Sequence, residues 1–392
     1  MQYTSYRLPF FIMLLTLLSG CISTPQMAKY NSNINHKYPP ISVFYAEPSH
    51  VLKEECLAFE NESMFQYCRE NQIGSDRYWQ ALKQMQLFED VGFSDKDNAF
   101  YLTFSTVSLM SDNAADMVKA ALSGASLMLL PMQHEHQVKA EVSLYFYDRK
   151  IKQYTYQLPY VTTMSLFNNV HEAKQNFTQA LVSHLIADLQ KDEVFSSKTI
   201  AAALQSTDYN QDLSVPKQVG DFSLAKQFSY YDPFLGHQST YVHPDFSDDY
   251  IDLFVYPIRY AEIEDTQTIL QVESHAIQQE ISAIATKSEW RDLVFSTLKS
   301  VSYSKNGTRF HGVGFDIEYT NTLGEQKFSG LYLFQLEDKL IKWRTSFPAK
   351  LIEQAMLFQM WDIKAPKESL FMATFRQQWR KQAEDKQIKT QS

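Results

Sequence analysis

The side chains most open to chemistry in this sequence begin with "QHEHQ". His134 and His136 stand two apart, so on an extended strand both project to the same side. Such a pair can supply two of the three or four ligands that zinc takes. The sequence names no further ligand, and a polar turn leading into the strand at Val138 accounts for both histidines without a metal. Other constellations fall short. Ser329 in "FSGLYL" lacks the flanking glycine of a nucleophile elbow and sits in a strand pattern. "HEAKQ" from His171 has no second histidine one helical turn on, and "HGVGFD" from His311 lies mid-strand rather than before a helix. The carboxylate groups Asp248-Asp249 and Glu262, Glu264 and Asp265 flank strand and helix patterns, where charges face water. No residue emerges as catalytic, and no cofactor is expected.

Composition narrows the setting. The 392 residues exceed what one ordinary core organises, so two domains are the default. Aromatic content of 14% with only 11 glycines favours sheet-containing domains. The formal net charge is −9 with both signs interspersed, and no basic stripe is present to neutralise phosphates, which argues against nucleic-acid binding. No run of 18 apolar residues occurs, so no spanning helix is expected.

The elements that would position these residues follow from periodicity. In 38–192, "ISVFYA" reads as a strand and "SDRYWQALKQMQLFEDV" as a helix capped by Ser75 or Asp76. "AFYLTFSTVSLM" reads as a strand. Val138, Ala140, Val142, Leu144 and Phe146 alternate into a hairpin turning at "DRK" and returning through Tyr154, Tyr156, Leu158 and Tyr160. Phe177, Leu181, Leu185 and Leu189 line an amphipathic helix. Residues 193–214 alternate polar and small groups and read as a linker with at most one short helix. Residues 215–365 carry strands at "FSLAKQFSYY", Tyr250–Tyr260, Phe310–Tyr319, Gln326–Leu336 and Lys339–Phe347. Their helix has the face Ile269, Val272, Ala276, Ile277, Ile281 and Ile284, and "EWRDLVFSTL" and "AKLIEQAMLFQMW" read as two more helices. The polar tail 366–392 is expected to fray. The fold class is α+β: two domains, each a mainly antiparallel sheet packed with helices.

One segment departs from surface polarity. "DMVKAALSGASLMLLPM" (116–132) is apolar nearly all round. A buried helix is the favoured reading; the others are a membrane or subunit contact through Leu122, Leu127, Leu129 and Leu130.

The amino end is more specific. Phe10 to Leu18 is apolar except for Thr16 and would span only about 14 Å as a helix, half of a hydrocarbon layer. It ends in Leu18-Ser19-Gly20-Cys21, which resembles the lipobox of bacterial lipoprotein precursors: a branched aliphatic, two small residues, then cysteine. The resemblance implies a signal peptide (1–20) removed before Cys21, diacylglyceryl on its thiol and a third acyl chain, such as palmitate, on its amino group. Ile22 rather than Asp follows, which by the same resemblance implies the outer membrane, facing the periplasm, in a Gram-negative host. Residues 21–37 would then be a tether.

Export leaves Cys56 and Cys68 where disulfides persist, and closing their 13-residue loop is worth about 3 kcal/mol in the chain-entropy model. The intervening "LAFENESMFQY" suits a surface loop. At fold level the first domain is similar to small periplasmic domains of bacterial envelope machines. The second, 215–365, resembles the PsbP-type fold, an antiparallel sheet between helices. The expectation is a non-enzymatic lipid-anchored envelope protein whose partners are the membrane and another envelope component. The alternatives are a metal-dependent periplasmic hydrolase, or a subunit of an oligomeric envelope or pore assembly.

Overall fold

The computed structural model describes residues 25–391 except 64, 71–73, 95–97, 112–131, 165–169, 247, 264, 306–307, 349–352 and 354–358. The chain divides into two compact units, 1–194 and 195–392. Both are α+β.

In the first unit a six-stranded sheet has the order β3 (Val91–Phe93), β1 (Ile41–Tyr45), β4 (Phe100–Ser111), β5 (Met132–Phe146), β6 (Arg149–Met164), with β2 (Gln66–Glu70) pairing the far half of β4. Only β1 runs parallel to its neighbours, β3 and β4; the other pairs are antiparallel. The β5–β6 hairpin follows the alternation in its sequence, with Val138, Ala140, Val142, Leu144 and Phe146 all buried. Helix α2 (Ser75–Met85) buries Tyr78 and Leu82, and α3 (Val170–Lys191) buries Phe177, Leu181, Leu185 and Leu189. The cap of α2 is Gly74, without a side-chain hydrogen bond, rather than Ser75 or Asp76.

Two expectations for this unit give way. Much of the loop expected between the cysteines belongs to helix α1 (His50–Glu62), capped by Ser49 through its hydroxyl to the Leu52 N–H (3.3 Å). Its buried side chain is Leu52 alone, so no apolar stripe announces it. The cap makes a small prediction: Ser49→Ala should cost about 1 kcal/mol in urea melts, because Ser49 also donates to Glu141 (2.8 Å). Second, residues 25–34 are not a free tether. Ala28, Asn31 and Gln26 are hydrogen-bonded to α3 through Ser183, Gln190 and His184.

The second unit is built on a nine-stranded antiparallel sheet. Its order is β11 (Arg291–Phe295), β13 (Thr308–Thr320), β14 (Gln326–Leu336), β15 (Lys339–Thr345), β10 (Tyr250–Pro257), β9 (His237–Val242), β8 (Phe222–Ser229), β7 (Gln218–Val219), with β12 (Lys299–Lys305) also on β13. Both faces are covered, which is why the central strands read as continuous apolar runs. Leu331, Leu333 and Leu340 pack against Ile269, Leu270 and Ile277 of α6 (Thr266–Lys287). Tyr332, Phe334, Ile341 and Trp343 pack on the opposite side with Tyr209, Met360 and Ile363. Gly312 and Gly314 explain "HGVGFD": the Phe334 and Tyr332 rings lie over them across the strand pair. A Cβ at Gly312 would come 2.4 Å from the Phe334 ring and 2.7 Å from the Leu333 carbonyl oxygen, so Gly312→Ala should cost about 1–3 kcal/mol, read by chemical denaturation.

Several expectations change here. Residues 193–214 are no linker: α4 (Ser197–Leu204) buries Ile200, Ala201 and Leu204, and α5 (Tyr209–Asp212) buries Tyr209. "EWRDLVFSTL" is not helical but contains strand β11, with Leu293 and Phe295 toward the core and Val294 outward. The apolar face of α6 is rotated from the expected one. Glu273 and Ser274 are buried while Val272 and Ile284 are about half exposed, because tyrosines draw Glu273 inward. The fraying tail is instead helix α7 (Leu370–Gln391), with Phe371, Met372 and Arg376 buried and Phe234 against Phe371 and Phe375. Most of "AKLIEQAMLFQMW" lies outside the described residues; Met360–Asp362 forms a 3-10 turn.

Candidate functional site

The residues singled out from sequence do not converge. Cys21, Leu122, Leu127, Leu129 and Leu130 lie outside the described residues. Cys56 and Cys68 are joined as a disulfide with Cα atoms 5.4 Å apart, tying α1 to β2. His134 and His136 both belong to β5, in register with Thr162 and Tyr160, and the His136 ring packs 4.9 Å from that of Tyr160. Among the described residues no group of three or more His, Cys, Asp or Glu is arranged to hold a metal ion. Ser329 is buried in β14 and donates to the Thr345 carbonyl (2.6 Å). Asp265 caps α6 through the Thr268 N–H and hydroxyl, bonds that hold its carboxyl below the usual range, and Glu262 pairs with Arg380 at 3.0 Å.

The structure assembles three polar constellations that the sequence did not show. The first sets a hydroxyl against an imidazole. Ser229 and His237 are opposed across the β8–β9 hairpin, with Ser229 Oγ 2.8 Å from His237 Nδ1. Proton accounting decides what the pair can do. Ser229 has one hydrogen and donates it to Asn210 Oδ1 (2.6 Å), so it accepts from Nδ1–H. Nε2 is then the bare nitrogen and accepts from Ser239 Oγ at 3.1 Å. A serine nucleophile needs the reverse arrangement, with the imidazole taking its proton. The ring is 2 % exposed, and burial lowers its pKa to about 4. This is a neutral structural histidine. Unfolding releases an imidazole that protonates below about pH 6.5, whereas the folded ring resists down to about pH 4. Its contribution to stability is therefore full above pH 6.5 and is lost as pH falls between those values, by about 3 kcal/mol. Denaturation midpoints at pH 7.5 and pH 4.5 should differ less in His237→Asn than in the natural protein.

The second constellation lies under α6. Glu273 accepts from Tyr256 (3.0 Å) and Tyr260 (3.1 Å), with Arg259 at 3.6 Å. Burial, then the Glu273 charge, pushes Tyr260 up to about 12 and Tyr256 well above its ordinary value, so both remain donors. Lys342 lies 4.4 Å from the Phe254 ring centroid and 5.6 Å from that of Tyr256, and burial lowers its pKa. The third is a charge quartet: Arg376 on α7 donates to Glu368 (2.5 Å) and to the carbonyls of Ile258 (2.7 Å) and Tyr260 (2.9 Å). Its other nitrogen faces Asp338 at 3.8 Å, and Asp338 is paired with the fully buried Lys339. Two cations meet two carboxylates, so the cluster is neutral in sum and mechanical in effect.

A cleft of about 410 Å³ lies on the second unit, where Lys299, Ser302, Asp316, Tyr332 and Glu353 stand beside the apolar Val301 and Phe315. It exists because Gly314 lets Tyr332 lie flat. Burial and then the Glu353 charge raise the Tyr332 pKa, keeping the hydroxyl protonated. Its polar lining is one cation, two carboxylates and several hydroxyls.

No family model matches the chain, and no curated protein matches it. Among solved structures it is similar to cyanobacterial PsbP (CyanoP) from Synechocystis sp. PCC 6803, with 11% identity over 39% of this chain and 91% of that one, at a TM-score of 0.23. A likeness this weak carries neither fold detail nor function. Glu273 and Arg376 were invisible in sequence because burial of a charge depends on partners far along the chain. Ser229 and His237 had one available signal, since Ser229 stands three residues before the turn "DPFLGHQ" and His237 lies within it.

Proposed function

We propose that the chain is a lipid-anchored protein of the bacterial cell envelope, acylated on Cys21, whose two α+β units bind or scaffold another envelope component without catalysing a reaction. The observation that carries the reading is Leu18-Ser19-Gly20-Cys21 closing a nine-residue apolar run. Three acyl chains on one residue exceed the two signals that stable anchoring takes. The Cys56–Cys68 pairing fits an oxidising compartment, and no helix among the described residues is long and apolar enough to cross a membrane. Anchoring would raise the effective concentration of both units for membrane-bound partners. The outer membrane, facing the periplasm, is the proposed site in a double-membraned host, since Ile22 follows the cysteine.

Fractionation tests the anchor. The natural chain should sediment with membranes and resist high salt, whereas Cys21→Ser should lose acylation and fail to be processed at residue 21. Recovery of the natural protein in the soluble fraction would contradict the reading. For the binding role, photo-crosslinkers placed at Lys299 and Ser302 beside the second-unit cleft should capture a discrete envelope protein in cells, and turnover of a substrate by the purified protein would overturn the non-enzymatic part.

A further inference from the structure

Strand β15 puts two cations side by side on one face of the second-unit sheet. Lys342 and Arg344 stand two residues apart, in register with Leu333 and Leu331 of β14, which pack under α6. On the other side they oppose Phe254 and Asp252 of β10. Among the described residues neither cation has an ion-pair partner, and the Arg344 Nε–H is buried with no acceptor. The carboxylates around them are engaged elsewhere or point away. Asp252 Oδ1 accepts from Gln238 Nε2 (3.0 Å) and Thr240 Oγ1 (2.6 Å), and Glu273 accepts from Tyr256 and Tyr260 with Arg259 beside it. Glu280, whose charge also reaches Lys342, is on the exposed side of α6. Lys342 lies instead over the Phe254 ring, where burial disfavours its charged form.

We propose that Lys342 and Arg344 form a binding site for the carboxylate or phosphate group of a small ligand, with Phe254 as the apolar bed beneath it. The inference concerns the second unit alone and does not rest on acylation of Cys21. A cation withdrawn from water with no anion beside it is costly, and a donor left unmet within the sheet adds to that cost. A bound oxyanion offsets both. Side chains two apart on a strand start about 7 Å from one another, a gap that an oxyanion closes by taking the planar guanidinium on one side and the ammonium on the other. The face is open to a small group: Lys342, Arg344, Phe254 and Thr240 are each partly exposed, while α6 lies over β11, β13 and β14. Asp252 limits what enters. It stands across from Arg344 and repels a further negative charge, so the site suits a single oxyanion group rather than a polyanionic chain.

The test uses the full-length protein in neutral detergent, with inorganic phosphate and acetate compared against chloride at equal ionic strength. Formaldehyde with cyanoborohydride methylates accessible amines, and mass spectrometry reads each lysine separately. Phosphate, acetate or both should slow methylation of Lys342 several-fold, while the exposed Lys198 and Lys287 keep their rates. Protection by one of the two salts alone would support the site and tell which oxyanion it takes. Arg344→Gln should abolish the protection, with near-UV circular dichroism showing that the unit remains folded. Arg344→Lys keeps the charge without the fork, so it should retain only part of the protection, and it decides the matter if Arg344→Gln does not fold. Equal methylation of Lys342 in all three salts, or protection undiminished by either substitution, would overturn the proposal.

Discussion

Arg376→Ala should destabilise the second unit by about 3–5 kcal/mol, enough to unfold a marginal domain. The side chain is 3 % exposed and crosses from α7 to hold the carbonyls of Ile258 and Tyr260, which follow β10. Truncation strands those carbonyls and leaves Asp338, Glu368 and Lys339 with an unbalanced buried charge. Arg376→Lys should recover only part of the loss, because an ammonium keeps the charge but cannot span Glu368 and two carbonyls as the planar fork does. Gln377→Ala, on the exposed side of the same helix, should change stability by less than about 0.5 kcal/mol. Urea melts followed by near-UV circular dichroism read the series, since Trp343 is fully buried in this unit. An Arg376→Ala midpoint equal to that of Gln377→Ala would mean that α7 is not part of the core.

Loss of the Cys56–Cys68 bond should release α1 while the second unit stays intact. That helix buries only Leu52, and its ties among the described residues include the Ser49 hydroxyl to Glu141, Lys139 to Glu55 (2.8 Å), the Cys68 N–H to Glu60 (2.8 Å) and the Gln66 amide to Glu62 (3.3 Å). These are partly exposed contacts worth about 1 kcal/mol or less apiece, against about 3 kcal/mol for closing the loop. Hydrogen exchange on Cys56→Ser/Cys68→Ser should therefore show amides 51–62 exchanging up to about a hundredfold faster, with β13–β15 unchanged. Unaltered protection of α1 would show that its side-chain ties suffice.

How much of this was legible in the sequence depends on where each side chain finds its partner. The β5–β6 hairpin could be read because its alternation is local: Val138, Val142 and Leu144 declare one face within seven residues. Helix α1 could not, having one buried side chain and a long-range covalent tie in place of a stripe. Strand β11 reads as a helix in sequence because "WRDLVF" suits both periods at that length, and only pairing with β13 decides between them. Arg376 made α7 look like a polar tail, since nothing near it in sequence foretells two carbonyls 116 and 118 residues away. The candidate sites obey the same rule. The hydroxyl–imidazole contact of Ser229 and His237 exists through hairpin register, and its tautomer is set by Asn210 and Ser239. The docking of 26–31 on α3 depends on Gln190, about 160 residues from the backbone it clasps.

The proposed compartment turns on the chemistry of one residue, and intact mass of the protein purified from its native membranes measures it directly. The expected result is a chain beginning at Cys21 and heavier than its polypeptide by a diacylglyceryl group and an amide-linked acyl chain. A chain that begins at Met1, or one cut at residue 21 with no added mass, would contradict it.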